Sequence, residues 1–410
     1  MSELPPVSFE NTEFAFEYKT DRELKKARFL FSLMGRPWLV KMGTRLTPWA
    51  VKSGLPIKGL IRNTIFTQFV GGETLQQTAK VASRLGDYHV QVILDYGVEG
   101  GNDGEQGFDQ ATDEFIRVIN YAATQPNIPF MSIKVTGLAR FSLLEKLDSG
   151  MSNASGSLMT RFLHTVEQLT PDEKEEWHRV RQRMMRICEA AAAQKTGVLV
   201  DAEETWIQDP VDALTILMMD LFNKERCVVY NTIQHYRHDR LAFLKDSYSA
   251  AVERGFILGA KLVRGAYMEK ERKRAAEMGY PSPIQPDKNA TDLDYNAGIA
   301  FCMEHLDRIA LIVASHNEQS NLLAVQLLLQ KGGPINHPHV HFSQLYGMSD
   351  NITFNLAHAG CSVSKYLPFG PIEDVIPYLM RRAQENTSVG GQTSRELLLI
   401  NKELLRRSGQ

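Results

Sequence analysis

Cysteine is scarce in this chain. There are four in 410 residues, Cys188, Cys227, Cys302 and Cys361, far apart and with no C-x-x-C pair. That excludes a secreted disulfide framework and a zinc ribbon, and it fits a reducing compartment. Long apolar runs are missing too, so no segment reads as a bilayer span. The opening MSELPPVSFENTEF carries acids and no apolar core, unlike a secretory signal or an Arg-rich transit peptide. Charge of one sign is not in excess: 46 Lys and Arg face 48 Asp and Glu, for a net charge of -2. Nothing in that balance argues for nucleic acid as a partner. No Walker loop, G-x-G-x-x-G or serine–histidine–acid motif is present.

What is present is a large apolar complement, 43% of residues, enough for an extended core of a soluble globular protein. Residues from about 20 to 85 read as helices broken by Pro and Gly. Eight short runs rich in Val, Ile and Leu follow: VQVILDYG from Val90, FMSIKVTGL from Phe130, GVLVDAEE from Gly197, CVVYNTIQ from Cys227, ILGAKLVRG from Ile257, IALIVASH from Ile309, VHFSQLYG from Val340 and CSVSKYLP from Cys361. Successive apolar residues mark strands buried on both faces. Helical segments separate them. One is expected from Asp113 to Ala123, after the Gly-rich loop GGNDGEQG from Gly100. Thr170-Pro171-Asp172-Glu173 fits a capping box, and Asp209-Pro210 reads as a cap with Pro in the first turn. Between the second and third strands lies a long connection, 139–196. Its Ser/Gly-rich stretch SGMSNASGS from Ser149 is expected to be a mobile loop, with at least one extra helix after it. Eight β-then-α units predict an α/β fold, a distorted (β/α)8 TIM-like barrel. The expected divisions are an N-terminal helical region over 1–85, the barrel over 86–390 and a helical tail over 391–410.

Polar residues gather at the C-terminal ends of the strands, where such barrels do chemistry. They are Asp95, Lys134, Asp201 with Glu203 and Glu204, Gln234, Arg264, His316 with Asn317, Gln344, and Lys365 with Tyr366. A buried strand that turns abruptly charged needs a reason, and together these residues predict a common pocket. Lys134 and Lys261 are cations among apolar neighbours, suited to negative charge on a substrate or a reduced cofactor. His337, His339 and His341 alternate as a metal motif would, but Pro338 and the absence of a nearby carboxylate at ligand spacing favour a structural role; no metal is expected. The run Asp201-Ala202-Glu203-Glu204 is better explained by ion pairing with the lysines and arginines around it than by a metal.

The densest chemistry lies in the last helical segment of the barrel. Tyr378, Arg381, Arg382 and Glu385 fall at spacings that place them on one side of a helix, beside a stripe of Ile372, Val375, Ile376, Leu379 and Ala383. Two guanidiniums beside a phenol make a socket for a small carboxylate, because Arg grips carboxylates with paired hydrogen bonds. Taken alone, the helix reads equally well as a solvated Arg/Glu face.

Six ordered motifs then carry a resemblance over roughly residues 60–405: DYGVE from Asp95, VDAEETWIQ from Val200, KLVRGAYMEKER from Lys261, ASHN from Ala314, YLPFG from Tyr366 and YLMRRAQEN from Tyr378. The chain resembles the proline dehydrogenases, in their eukaryotic-type, single-function form. The resemblance implies FAD-dependent oxidation of L-proline to Δ1-pyrroline-5-carboxylate, with electrons passed to a membrane quinone. It implies that Arg381 and Arg382 bind the proline carboxylate with help from Lys134, that Tyr267, Leu345, Tyr366 and Tyr378 surround the ring, and that Asp201 supports Tyr366 by a hydrogen bond. Glu385 would balance the arginines. Gln234, Lys261, Arg264, His316, Asn317 and Gln344 would contact FAD, and the helix from residue 371 to 386 would lie over the barrel mouth. Tyr366 stands where the related hydroxyproline dehydrogenases look to have serine, which favours proline over 4-hydroxyproline. Alternatives are a hydroxyproline dehydrogenase, another FAD barrel enzyme of the methylenetetrahydrofolate reductase kind, and a non-catalytic proline or flavin sensor. Between Arg22 and Arg62 stand ten Lys or Arg and one acid, Glu23, with Trp38 and Trp49 interleaved. That pattern suits either a helical cap on the barrel or a peripheral contact with an anionic membrane. The expected location is cytoplasmic, with that contact on the inner membrane, and the imine product would be consumed by a downstream pyrroline-5-carboxylate dehydrogenase.

Overall fold

A computed structural model describes residues 7–36, 38, 40–44, 58–97, 104–388 and 392–409, without the side chains of 386–388 and 392. The expected segment around Trp49 lies outside the described residues.

The eight expected runs are eight parallel strands: β1 Gln91–Tyr96, β2 Phe130–Ile133, β3 Gly197–Val200, β4 Val229–Gln234, β5 Leu258–Val263, β6 Ile309–Ala314, β7 Val340–Leu345 and β8 Val363–Phe369. They follow one another in order round a closed barrel, with helices in the connections. β1 closes on β8 in a register that sets Ile93 beside Tyr366 and Asp95 beside Pro368. Buried apolar side chains at consecutive positions, such as Ile309, Ala310, Leu311, Ile312 and Val313, explain why the strands show no alternation.

Contacts divide the chain into two compact units. One comprises Met1–Gly97, His316–Glu318 and Phe342–Gln410; the other comprises Val98–Ser315 and Gln319–His341. In the first, helix Asp21–Met34 opens with a complete capping box of Thr20 and Glu23. Its buried Leu24, Ala27, Phe31 and Met34 join one apolar cluster with Phe69, Ile372, Val375, Ile376, Leu379, Leu399 and Ile400. The described N-terminal residues are therefore helical, as expected, and one side of them is core.

In the second unit three expectations are corrected. The helix after β1 runs over Gly104–Ala122, nine residues ahead of Asp113, because Phe108, Thr112 and Phe115 already form its buried stripe. The Ser/Gly-rich stretch is only partly loop: helix Phe141–Ser152, buried through Leu143, Leu144, Leu147 and Met151, takes in its first four residues. Gly150 lets this helix approach its neighbour, since a Cβ there would lie 2.4 Å from Thr165 Cγ2. Helices Leu158–Glu167 and Pro171–Gln194 complete the connection, the latter with the expected Thr170 capping box. Asp209 does not cap a helix. Helix Thr205–Phe222 starts four residues earlier, with Pro210 inside it. Its first donor is held from afar: the Thr205 N–H donates to Glu271 Oε1 at 2.7 Å. The Asp209 N–H, in turn, goes to Asp148 Oδ1 at 3.1 Å.

Candidate active site

Helix Ile372–Ser388 begins at the C-terminal ends of β1 and β8. A Cβ on Gly97, the residue after β1, would lie 2.7 Å from Val375 Cγ1, so only glycine admits the helix there. The Gly97 N–H also donates to Phe369 O at the end of β8. The apolar stripe of this helix is buried as the spacing predicts. Its polar side is not a solvated face: Tyr378 is 8% and Arg382 5% exposed, while Arg381 and Glu385 are half-buried. The Arg382 guanidinium lies 4.9 Å from the centre of the Tyr378 ring and pairs with Glu385. Burial pushes the Tyr378 hydroxyl up to about 12, against the opposing pull of Arg382. That hydroxyl is buried with no hydrogen-bond partner among the described residues. Burial also raises the Glu385 carboxyl, opposed by Arg382 and Arg381. Two guanidiniums, one glutamate and an unsatisfied phenol make a site that can take a further carboxylate.

Tyr366 lies in β8, and register places it beside Ile93 on β1 and Leu345 on β7. Lys365 does not join it in a pocket, which corrects that expectation. Successive strand residues point to opposite faces, and Lys365 is fully buried with its Nζ 2.8 Å from Asp350 Oδ1. Asp350 also accepts from Tyr18 at 2.8 Å and Lys19 at 2.7 Å. Burial opposes its charge, yet Lys19 and Lys365 outweigh burial and hold the carboxyl well below the usual range. Gln344 is buried and accepts from the Thr353 hydroxyl at 2.8 Å. His316 Nδ1 lies 2.8 Å from Ser349 Oγ. Ser349 has a left-handed backbone, φ +51°, costly for a non-glycine residue, and Glu396 holds its N–H. Ser349 thus positions His316. Nothing in the sequence signals it, because left-handed serine has no pattern.

In the other unit, pairing of Ile133 with Val200 brings the next residues, Lys134 and Asp201, side by side. The Asp201 carboxylate lies 2.5 Å from Lys261 Nζ and 3.5 Å from Lys134 Nζ. Glu204 pairs with Lys270, so the acidic run is explained by ion pairs, as expected. Glu203 is buried. Burial pushes its carboxyl up to about 7 against Lys134, and both its oxygens accept from the Thr136 hydroxyl. Gln234 Nε2 donates to Glu203 O at 2.7 Å and Tyr236 Oη at 2.8 Å, while its Oε1 is buried with no partner among the described residues. Arg264 donates to Asp292, Ser315 and Ser320 and lies 3.8 Å from the centre of the Tyr295 ring. Its described bonds go to protein groups that tie β5 to the helices beyond. Tyr267 and Asn317 are half-buried. Of the three histidines, His341 packs edge-on against Phe130, and His339 Nδ1 lies 2.6 Å from Leu306 O. Both therefore have structural roles.

A family model described as proline dehydrogenase matches residues 78–395. Among curated proteins, the chain is 32% identical over 381 residues to mitochondrial proline dehydrogenase 1 of Dictyostelium discoideum, covering 86% of this chain and 66% of that protein. It thus spans just under two thirds of that relative's length. It is 34% identical over 352 residues to the carbapenem antibiotics biosynthesis protein CarD of Pectobacterium carotovorum, covering 85% and 86%. Against hydroxyproline dehydrogenase of Xenopus laevis it is 32% identical over 422 residues, covering 96% and 88%. Among solved structures, proline utilization A from Bdellovibrio bacteriovorus superposes with a TM-score of 0.70 at 17% identity, over 97% of this chain and 40% of that one. At that identity the likeness concerns the fold.

Proposed function

Since the chain belongs to the proline dehydrogenase family, we propose that it oxidises L-proline to Δ1-pyrroline-5-carboxylate with FAD as its resident cofactor and a quinone as electron acceptor. One observation carries this reading. An arginine and a tyrosine on a helix that starts at the barrel's strand ends are buried, with the tyrosine hydroxyl unsatisfied among the described residues.

The residues present fit the cofactor. The Gln234 Oε1, without a hydrogen-bond partner among the described residues, is an acceptor suited to the imide N–H of an isoalloxazine. Lys261 and Lys134, sharing Asp201, would offer positive charge to a reduced flavin. In this reading His316, held by Ser349, Asn317, Gln344 and Arg264 would be the remaining cofactor contacts. Bound FAD supplies the two-electron acceptor. The chain's own groups orient the substrate. Arg381 and Arg382 fix the carboxylate, Lys134 adds charge, and Tyr366, Tyr378, Leu345 and Tyr267 wall the ring, with Asp201 steadying Tyr366. Glu385 keeps Arg382 aimed. Proline's ammonium must lose a proton before a hydride can leave, so turnover is expected to rise with pH.

The purified protein is expected to be yellow and to bleach when L-proline is added without oxygen. Bleaching should be weaker with trans-4-hydroxy-L-proline and absent with D-proline. Proline binding without bleaching would instead establish a sensor, and a protein that never holds flavin would end the proposal. Tyr366→Ser is expected to narrow the preference for proline over hydroxyproline, read as the ratio of kcat/KM values. An unchanged ratio would remove the steric role given to Tyr366.

This reading extends to a peripheral membrane contact through the basic N-terminal helices, where a quinone would be met, from the cytoplasmic side of an inner membrane. A separate pyrroline-5-carboxylate dehydrogenase would then consume the product. Among the described residues no helix is long and apolar enough to cross a membrane.

A further inference from the structure

On the far side of helix Ile372–Ser388 from Tyr378 and Arg382 lies a cavity of about 290 Å³. Its described walls are Leu30, Leu33 and Met34 of helix Asp21–Met34, Val40, Ile61 with Ile65, Phe69, and the Leu379 side of helix Ile372–Ser388. They are almost wholly apolar, and the volume sits at the low end of small-molecule sites, roughly 300–1,000 Å³. A half-open groove with such walls leaves apolar surface in contact with water, which favours an apolar occupant.

The surface leading to this cavity has its own character. Arg22, Lys25, Phe29, Leu33 and Arg36 recur at steps of three and four along one line, so basic residues and an exposed phenylalanine lead to a leucine of the cavity wall. Beyond it stand exposed Trp38, Lys41 and Met42. The acids of helix Asp21–Met34 are already taken, Glu23 by Arg84 and Asp21 by Arg407, so they do not offset this positive line. Burial leaves a hydrocarbon slot beneath a basic, aromatic rim.

We propose that this cavity takes one acyl chain of an anionic phospholipid, with the headgroup on Arg36, Lys41 and the basic line of helix Asp21–Met34. The inference rests on the peripheral membrane contact proposed above and assigns it a specific socket. A basic rim alone would hold any anionic surface; a slot beneath it selects one that can give up a chain.

Gly43 makes the test clean. It is one of the cavity's lining residues, and a Cβ added there meets nothing within 4 Å, so its backbone accepts a side chain, and Gly43→Phe is the variant that adds bulk at the wall. The holoenzyme and this variant would be sedimented with phosphatidylcholine vesicles, with and without phosphatidylglycerol, and Trp38 fluorescence would be followed with brominated acyl chains. Wild type is expected to bind the anionic vesicles and to be quenched. Gly43→Phe is expected to lose about tenfold in partitioning, although it adds apolar surface. Val40→Asn, which makes the wall polar, should do the same and serves if the first variant fails to fold. Equal or tighter binding by the variants overturns the socket and leaves the peripheral contact standing. Protection of Trp38 from the brominated chains by a long-chain quinone, but not by unbrominated phospholipid, also overturns it in favour of the acceptor's tail. Wild type that does not sediment with anionic vesicles removes both.

Discussion

Arg382→Met is expected to weaken L-proline binding by about one to two orders of magnitude, since a charge-assisted contact is worth roughly 1.5–3 kcal/mol. The effect should be large because Arg382 is buried, so water does not stand in for the lost donor. The same change unbalances Glu385. Burial already raises that carboxyl and Arg382 opposes it, so the variant's glutamate should take up a proton at higher pH. Proline affinity should then acquire a pH dependence that wild type lacks in the same range. Arg381→Met should weaken binding less, because its side chain is half-buried. Anaerobic titration of the flavin band with L-proline measures both variants. Unchanged affinity in both would refute the carboxylate assignment, and protein that stays yellow excludes a folding artefact.

The largest effect on stability is expected at Asp350, a buried carboxylate that none of the proposed ligand contacts includes. Asp350→Ala leaves the Lys365 ammonium fully buried without its carboxylate and takes the partner of Lys19 and Tyr18 as well. Breaking a buried pair by removing one member costs about 3–5 kcal/mol. Denaturant or thermal unfolding should register that loss, and Lys365→Met added to Asp350→Ala should recover part of it. The pH dependence has a definite sign. The folded carboxyl is held below its ordinary range, so it binds fewer protons folded than unfolded. Its contribution is complete above the unfolded value of about 3.9 and is lost as pH falls through the folded value. Wild-type stability should therefore fall on acidification below about pH 4, and the Asp350→Ala profile should be flatter there. A double variant no more stable than Asp350→Ala would show that Lys365 was never the liability.

The barrel was legible because parallel strands buried on both faces leave unbroken apolar runs, and all eight were found. The helix of Tyr378, Arg381 and Arg382 was legible because spacing alone fixes which residues share a side. Burial was not, and it decides between a solvated face and a binding site. Lys365 was read as lining the pocket because it adjoins Tyr366, whereas the alternation of a strand turns it toward Asp350. Helix Thr205–Phe222 was begun at Asp209 because the carboxylate that receives its first N–H, Glu271, lies on another element. The Ser/Gly-rich stretch looked like a loop because the leucines that order it stand before it, and the need for Gly150 comes from Thr165, which no local pattern shows. Ser349 gave no signal at all, and Glu203 showed only as one of several polar residues at the strand ends. Their roles arise from neighbours distant in sequence.

Helix Ile372–Ser388 owes its seat to residues the family match leaves out. That match begins at residue 78, yet Leu24, Phe31, Met34 and Phe69 share one apolar cluster with Ile376 and Leu379. A lesion in the first seventy residues should therefore masquerade as an active-site defect. It would raise the KM for proline while leaving every group that touches the substrate intact, and a genetic screen for weak proline users would recover such alleles beside those of the arginines themselves.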